Sequence, residues 1–427
     1  MLNFIKNNKL VFSFLVVAIL LLPLSISTPA ESDRVAVVTS VGLDKVDGGI
    51  EVSVNTIVPN SGQAGGSGGA DGTVKTVSAI GENVSSAFAN VTLVLGKFPG
   101  LAHCDSIILN KNLFSENILE YLDFFVRTNN LTSNAALMVA ENSAKEVVET
   151  AAAQKGLSAV SISEILLLNN EYALSKNSNI DEFYLKTFSP SKTATLPLIT
   201  VGDSNKDNGE VNGDSAKAGK TETKTEEGNA DLPESASKSG NGSPQKIIKN
   251  EGKGVIVKGG KIVCEVKGKD MSGINLISKA TKRGHIEAEN VNAFGFNNAN
   301  LTFEIYNKKA SLKGEFINGK PVVTYAINLV LKLEEVKQKS LNINALKTTQ
   351  NYVEGEIKQT LFKTATENIN AIISTAKSVN ADVFEVYDYF NKFHNKSWKK
   401  FLNTLENKEE YLKEVQFNID VKLQGKI

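Results

Sequence analysis

The sequence of 427 residues is short of the side chains on which most chemistry depends. It has two cysteines, Cys104 and Cys264, and three histidines, His103, His285 and His394. Two cysteines cannot build a disulfide framework or a four-sulfur zinc site. Three scattered histidines leave little for metal binding or His-dependent catalysis. Arginine is just as scarce, with only Arg34, Arg127 and Arg283, so bidentate phosphate readout is poorly supplied. There is no charge excess: 47 Lys and Arg stand against 47 Asp and Glu. Nucleic acid is excluded as the main partner on that ground, since phosphate binding needs a basic surplus. Beyond the first 30 residues no long apolar run occurs. Together these deficits point away from enzymes, metalloproteins and nucleic-acid binders.

Apolar residues make up 41 % of the chain, enough to give each of two or three domains a sizeable core. Charge is unevenly spread: residues 31–201 carry a net −7 and residues 251–427 a net +7. This reads either as ordinary solvated surface or as two halves that face different partners, or each other.

Lys6 and Lys9 precede an apolar run, Leu10–Leu24, broken only by Ser13 and Pro23. That is the pattern of a secretory signal. The run is short for a spanning helix, which needs about 20 apolar residues; continued through Ser27 it makes a marginal signal anchor. Thr28-Pro29-Ala30 offers a small-residue cleavage site. Residues 1–30 are therefore read as a signal sequence or signal anchor. The rest is expected outside the cytoplasmic membrane, with the basic end kept inside.

Residues 31–201 read as an N-terminal α/β domain. A strand over Val35–Asp44 turns at Asp47-Gly48-Gly49 into a second strand over Ile50–Val58. Residues 61–72 are glycine-rich, but strand-like Thr73–Ile80 follows, whereas a phosphate cradle must open a helix. Helices are predicted over Gly81–Val94, Asn117–Arg127, Ser143–Gln154, Glu164–Leu168 and Ile180–Phe188, with strands at Asp105–Asn110 and Asn134–Ala140. Ser143 and Glu146 form a capping box at the third helix. Interleaved strands and helices indicate an α/β or α+β domain.

Residues 202–250 contain no aromatic residue and few large aliphatics, so they cannot offset their ordering entropy. They are read as a disordered linker. A small middle α/β subdomain is expected over 251–292: a hairpin from Gly254–Val257 and Lys261–Val266, a helix at Asp270–Lys279, and a strand at His285–Val291. The C-terminal α+β domain, 293–427, has strands at Asn300–Tyr306, Ser311–Ile317 and Val322–Lys332. A long helical pattern over about 340–378 follows, with Val353, Ile357, Leu361, Ile369, Ile372 and Ile373 on its apolar stripe. A short helix at Phe384–Tyr389, an aromatic helix around Trp398 and a closing strand at Val415–Leu423 complete it. The fold class expected is α+β: two or three mixed domains with antiparallel or mixed sheets, and the long helix packed on the C-terminal sheet.

Several of these stretches, in order, resemble the C subunit of GerA-type spore germinant receptors, the Ger(x)C family. They are Ala36–Asp44 with its turn, Ser78–Glu82, Ala102-His103 ahead of Ser106–Leu109, and Leu119–Arg127. Leu196-Pro197, Gly254–Val266 and Asn380–Gly425 continue the series. The resemblance implies an extracytoplasmic, membrane-associated subunit that supports nutrient-triggered germination without catalysis. Its implied partners are a membrane-embedded A subunit and a transporter-like B subunit, on the outer face of the cytoplasmic or spore inner membrane. Family members carry a lipobox cysteine after the apolar run, followed by Trp-Asp-Arg. Here Ser25–Pro29 has no cysteine and only Ser32-Asp33-Arg34 matches, so no lipidation residue is assigned and attachment falls to an uncleaved helix. The alternative from another class is a secreted solute-binding or cell-envelope protein unrelated to germination.

No catalytic, cofactor or metal residue is assigned. His103-Cys104-Asp105 is the one cluster of reactive types, but adjacent strand residues point to opposite faces, so it reads as structural. Cys264 reads as a small mid-strand hydrophobe, with a disulfide to Cys104 left open. Glu334-Glu335, Glu409-Glu410 and the pair Asp382 and Asp388 read as solvated faces. Tyr387, Tyr389, Phe390, Phe393, Trp398 and Phe401 read as core, with a binding groove as the alternative.

Overall fold

Strand β1 (Val35–Val46) is built to run beneath a helix. A Cβ on Gly42 would lie 3.0 Å from the Ala144 carbonyl oxygen, so glycine lets helix α3 (Ala144–Ala153) come close without being pushed back by a few tenths of an ångström. Two residues on, buried Asp44 accepts hydrogen bonds from the Ala144 and Lys145 backbone N–H groups at 2.9 and 2.7 Å. A carboxylate is thus placed on the orphan donors of that helix N-terminus. Ser143 Oγ accepts from the Glu146 N–H, as the capping pattern predicts. The computed structural model describes residues 34–58, 73–128, 131–153, 162, 178–203, 246–338 and 351–426. The leader, the glycine-rich stretch 61–72, the helix expected at Glu164–Leu168, nearly all of 202–250 and the first part of the long helical pattern lie outside the described residues.

The first sheet is mixed. Along it come β10 (Lys261–Val266), β9 (Lys246–Lys258), β8 (Thr193–Asp203), β6 (Ala136–Ala140), β5 (Ser106–Asn110), β1, β2 (Gly49–Val58) and β3 (Thr73–Gly81). The four central strands β8, β6, β5 and β1 are parallel, and antiparallel hairpins flank them on both sides. Two short strands, β4 (Phe98–Gly100) and β7 (Ser178–Asn179), pair with β1 and β6. Helices α1 (Val84–Leu95), α2 (Ile118–Arg127) and α4 (Ile180–Phe188) bury Val84, Phe88, Val91, Leu122, Phe125 and Phe183 in one core. Asn83, Asn117 and Asn179 cap these helices through their side chains.

The expected middle subdomain does not form. β9 pairs with β8 on both sides of a bulge, over Lys246–Lys249 and Lys253–Lys258, and β10 pairs with β9, so residues 246–266 complete the first sheet. Asp203 and Lys246 are direct partners across that pair. The polar stretch therefore joins two neighbouring strands of one sheet rather than linking two domains. Its last residues, from Lys246, are strand. The second unit starts with helix α5 (Gly268–Ile277) and strand β11 (Gly284–Val291).

The second sheet has the order β11, β12 (Ala299–Ile317), β13 (Lys320–Lys337), β14 (Gln416–Gly425), with only the last pair parallel. Two strands were expected where the single strand β12 runs through a bulge between Ile305 and Asn307. The long helix α6 (Gly355–Ser378) begins later than the pattern suggests: Val353 is buried but precedes it. Ile357, Leu361, Ile369, Ile372 and Ile373 share one buried core with Ile286 of β11, Phe303 of β12, Ile327 of β13 and Val421 of β14. α5 crosses α6 at Gly273, where a Cβ would meet the Asn368 carbonyl oxygen at 2.2 Å. Ile256 and Val266 of the first sheet enter the same core. The architecture is α+β with mixed sheets and the long helix packed on the C-terminal sheet, as expected.

Candidate functional site

The two sheets meet at a seam. From the first sheet come Ser191 and Lys192, in the turn between α4 and β8, and Lys258 at the end of β9. From the second unit come Asn380, just past α6, then helices α7 (Val386–Phe393) and α8 (Asn395–Leu402), and the short helix α9 (Tyr411–Glu414). Lys258 Nζ donates to the Asn380 carbonyl at 2.7 Å, so a cation sits where the α6 dipole is negative. Burial pushes the Lys258 ammonium below its usual range. Ser191 Oγ donates to Asp388 at 3.4 Å, and burial holds the Asp388 carboxyl above its usual range. Lys192 lies 3.8 Å from Glu409 and Lys186 3.3 Å from Glu385. Between them is a cleft of about 200 Å³, lined by Lys192, Lys258, Lys408, Glu409 and Tyr387 among others.

Beneath the cleft lies Asp382, 3 % exposed. Its carboxylate accepts from the backbone N–H groups of Phe384, Val386 and Tyr387 at 3.2, 3.1 and 2.8 Å, and from Tyr411 Oη at 2.7 Å. It thereby caps α7 and ties α9 to it. Burial raises the carboxyl pKa, and the four hydrogen bonds pull the other way. The Tyr411 hydroxyl is pushed far up by burial and by the adjacent carboxylate. Asp382 is therefore committed to structure, with its acceptor capacity occupied.

The aromatic group divides. Trp398 is fully buried, stacked on Phe390 at 5.2 Å and on Phe401 at 5.3 Å, with Tyr387 and Tyr411 edge-on at 5.4 Å. Tyr389 joins this group through Phe390, whereas Phe393 is 61 % exposed. The sequence reading of a solvated Asp382 is corrected: that residue is buried and Asp388 is half-buried. Glu334, Glu335 and Glu409 are exposed, with Glu334 2.8 Å from His285 and Glu410 2.6 Å from Lys413.

Cys104 is buried and His103 exposed beside it, so the two are not aimed at each other. The Cys104 thiol donates to the Ser106 carbonyl, and burial raises its pKa to about 12, leaving essentially no thiolate near neutrality. Cys264 is partly exposed in β10, and both thiols are free. Among the described residues no group of three or more His, Cys, Asp or Glu is placed to hold a metal ion. No described helix is long and apolar enough to cross a membrane.

The cleft thus collects lysines and carboxylates whose contacts, Lys258 with Asn380 and Ser191 with Asp388, run from the first sheet to the second unit. Lys258 and Asn380 are 122 positions apart, and no local pattern in the sequence connects them. The signal that was available lay in Lys258-Gly259-Gly260, a turn ending on a lysine-bearing strand.

Residues 29–201 match a family model described as the spore germination protein N-terminal domain. Residues 251–424 match one described as spore germination B3/GerAC like, C-terminal. Among solved structures the chain is similar to a crystal structure of the GerBC protein, at 16 % identity and a TM-score of 0.47, over 90 % of this chain and 96 % of that one. Among curated proteins none matches.

Proposed function

The chain belongs to the Ger(x)C family, the C subunits of spore germinant receptors, and we propose that it works as the extracytoplasmic, membrane-associated subunit of such a receptor. The observation that carries this is the pair of matches in chain order, 29–201 and 251–424, which leaves only the polar insertion uncovered between them. Its role is to support the response to a nutrient germinant without catalysing a reaction. The residues are in keeping with that reading. The buried thiol is un-ionised near neutrality and the buried carboxylate is saturated with hydrogen bonds. The seam instead couples two packed units through Lys258 with Asn380 and Ser191 with Asp388.

Its partners in this reading are a membrane-embedded A subunit and a transporter-like B subunit. Attachment to the outer face of the membrane runs through the apolar run Leu10–Leu24, since no cysteine follows it to carry a lipid. Spores lacking this protein are expected to lose the response to one class of nutrient while still germinating on a trigger that bypasses nutrient receptors. Unaltered responses to every nutrient tested, with the protein recovered free in the medium, would favour the secreted envelope protein instead.

A further inference from the structure

One end of the first sheet exposes more apolar surface than its surroundings explain. Helix α1 buries Val84, Ala87, Phe88 and Val91, and its last turn leaves Leu93 and Val94 outside that stripe, 80 % and 64 % exposed. The chain then turns at Gly96 and enters β4, whose Phe98 is 63 % exposed and pairs in parallel register with Val35, the first residue of β1. Next to them Val37 stands opposite Ile57 near the end of β2, and both are partly exposed. Six large apolar side chains are thus exposed at the end of the sheet where β1 begins, Val35, Val37 and Ile57 on the face that carries α3 and Leu93 and Val94 on α1 across the sheet, with Arg34 and Lys97 as the neighbouring charges in sequence. Large apolar side chains exposed together at one end of a domain mark a contact site.

What meets this end of the domain is set by the sequence ahead of it. The apolar run closes at Leu24, and residues 25–33 separate it from Arg34. Even fully extended, that stretch reaches about 30 Å. We propose that Leu93, Val94 and Phe98, with Val35, Val37 and Ile57, form a foot that rests in the lipid surface beside the anchor. The foot fixes the orientation of the first sheet relative to the membrane. The inference rests on the reading that the leader stays attached. Residues 31–201 carry a net −7, so anionic lipid does not attract this half, and the contact is apolar. It is therefore expected to be insensitive to salt, unlike an electrostatic one.

The test uses the full chain in vesicles of phosphatidylglycerol and phosphatidylethanolamine. An environment-sensitive fluorophore is placed by Leu93→Cys, Phe98→Cys or, as a control on α6, Phe362→Cys, each with Cys264→Ser and with Cys104 left buried. Emission from positions 93 and 98 is expected to shift to the blue and to be quenched by nitroxide-bearing lipids, at low and high salt alike, with position 362 unaffected. If the full chain floats with the vesicles but 93 and 98 stay unquenched, the foot is refuted and the anchor reading survives. If the chain does not float at all, the anchor reading fails and the foot with it. Blue shifts at 93 and 98 that appear only after spore membrane proteins are added, without lipid quenching, would assign the patch to a protein partner and overturn the proposal.

Discussion

Tyr411 Oη donates to Asp382 Oδ2 at 2.7 Å, and both side chains are buried beneath the seam between the two sheets. The same carboxylate holds three backbone N–H groups at the start of α7. Tyr411→Phe removes one hydrogen bond to a charged group and is expected to cost about 1.5–3 kcal/mol. Asp382→Ala strands all four donors and should cost more. Trp398, the single tryptophan, packs against Tyr411 and reports unfolding of this region directly. Urea melts followed by its fluorescence that place both variants within about 0.5 kcal/mol of the parent, the range of neutral surface sites, would remove Asp382 from the account.

The α6 stripe gives a sharper contrast between neighbours. Ile357 is fully buried against the second sheet and Lys358 is exposed. Ile357→Ala is expected to cost about 2–5 kcal/mol, as for emptying a buried aliphatic site. Lys358→Ala should stay within about 0.5 kcal/mol. Equal, mild effects in the full chain would mean that the helix is not core.

Lys308 is 6 % exposed and donates to the carbonyls of Leu276 and Ser278 at 3.1 and 2.7 Å, and to that of Asn275, at the end of α5. Burial pushes its pKa down to about 7 from 10.5. The unfolded chain therefore binds more protons than the folded one between those values, and stability contributed by this site rises with pH across that window. Lys308→Met abolishes the titration. The parent should gain on the variant in melts between pH 7 and 10; parallel curves would show that the three carbonyls and the helix terminus keep the ammonium charged in the fold.

Proteolysis distinguishes an insertion from a linker. Cleavage is expected first within 204–245, a stretch without aromatic residues. Because Asp203 faces Lys246 across one sheet, the two fragments should elute together in native chromatography and part only in denaturant. Fragments that separate without denaturant would contradict the strand pairing.

The sequence announced what is local and missed what is distant. Ile180–Phe188 was legible to the residue because Asn179 caps it and Pro190 follows its end. Val41-Gly42-Leu43-Asp44 was legible as a strand with a polar end, but not as the cap of a helix 100 positions away. β12 read as two strands because buried Lys308 interrupts the apolar alternation beside its bulge. Placing 246–266 in the first sheet required its pairing with β8, which no periodicity encodes. At the seam, the aromatic group was legible as core from its composition, except Phe393, which is exposed. Asp382 was not, because its four donors are set by tertiary structure.

The receptor assignment is tested most directly by purifying the tagged full-length protein from detergent-solubilised spore membranes and identifying what accompanies it. A membrane-embedded protein and a transporter-like protein in fixed ratio to this chain are the predicted result. Recovery of the chain alone, or from the soluble fraction, would contradict it.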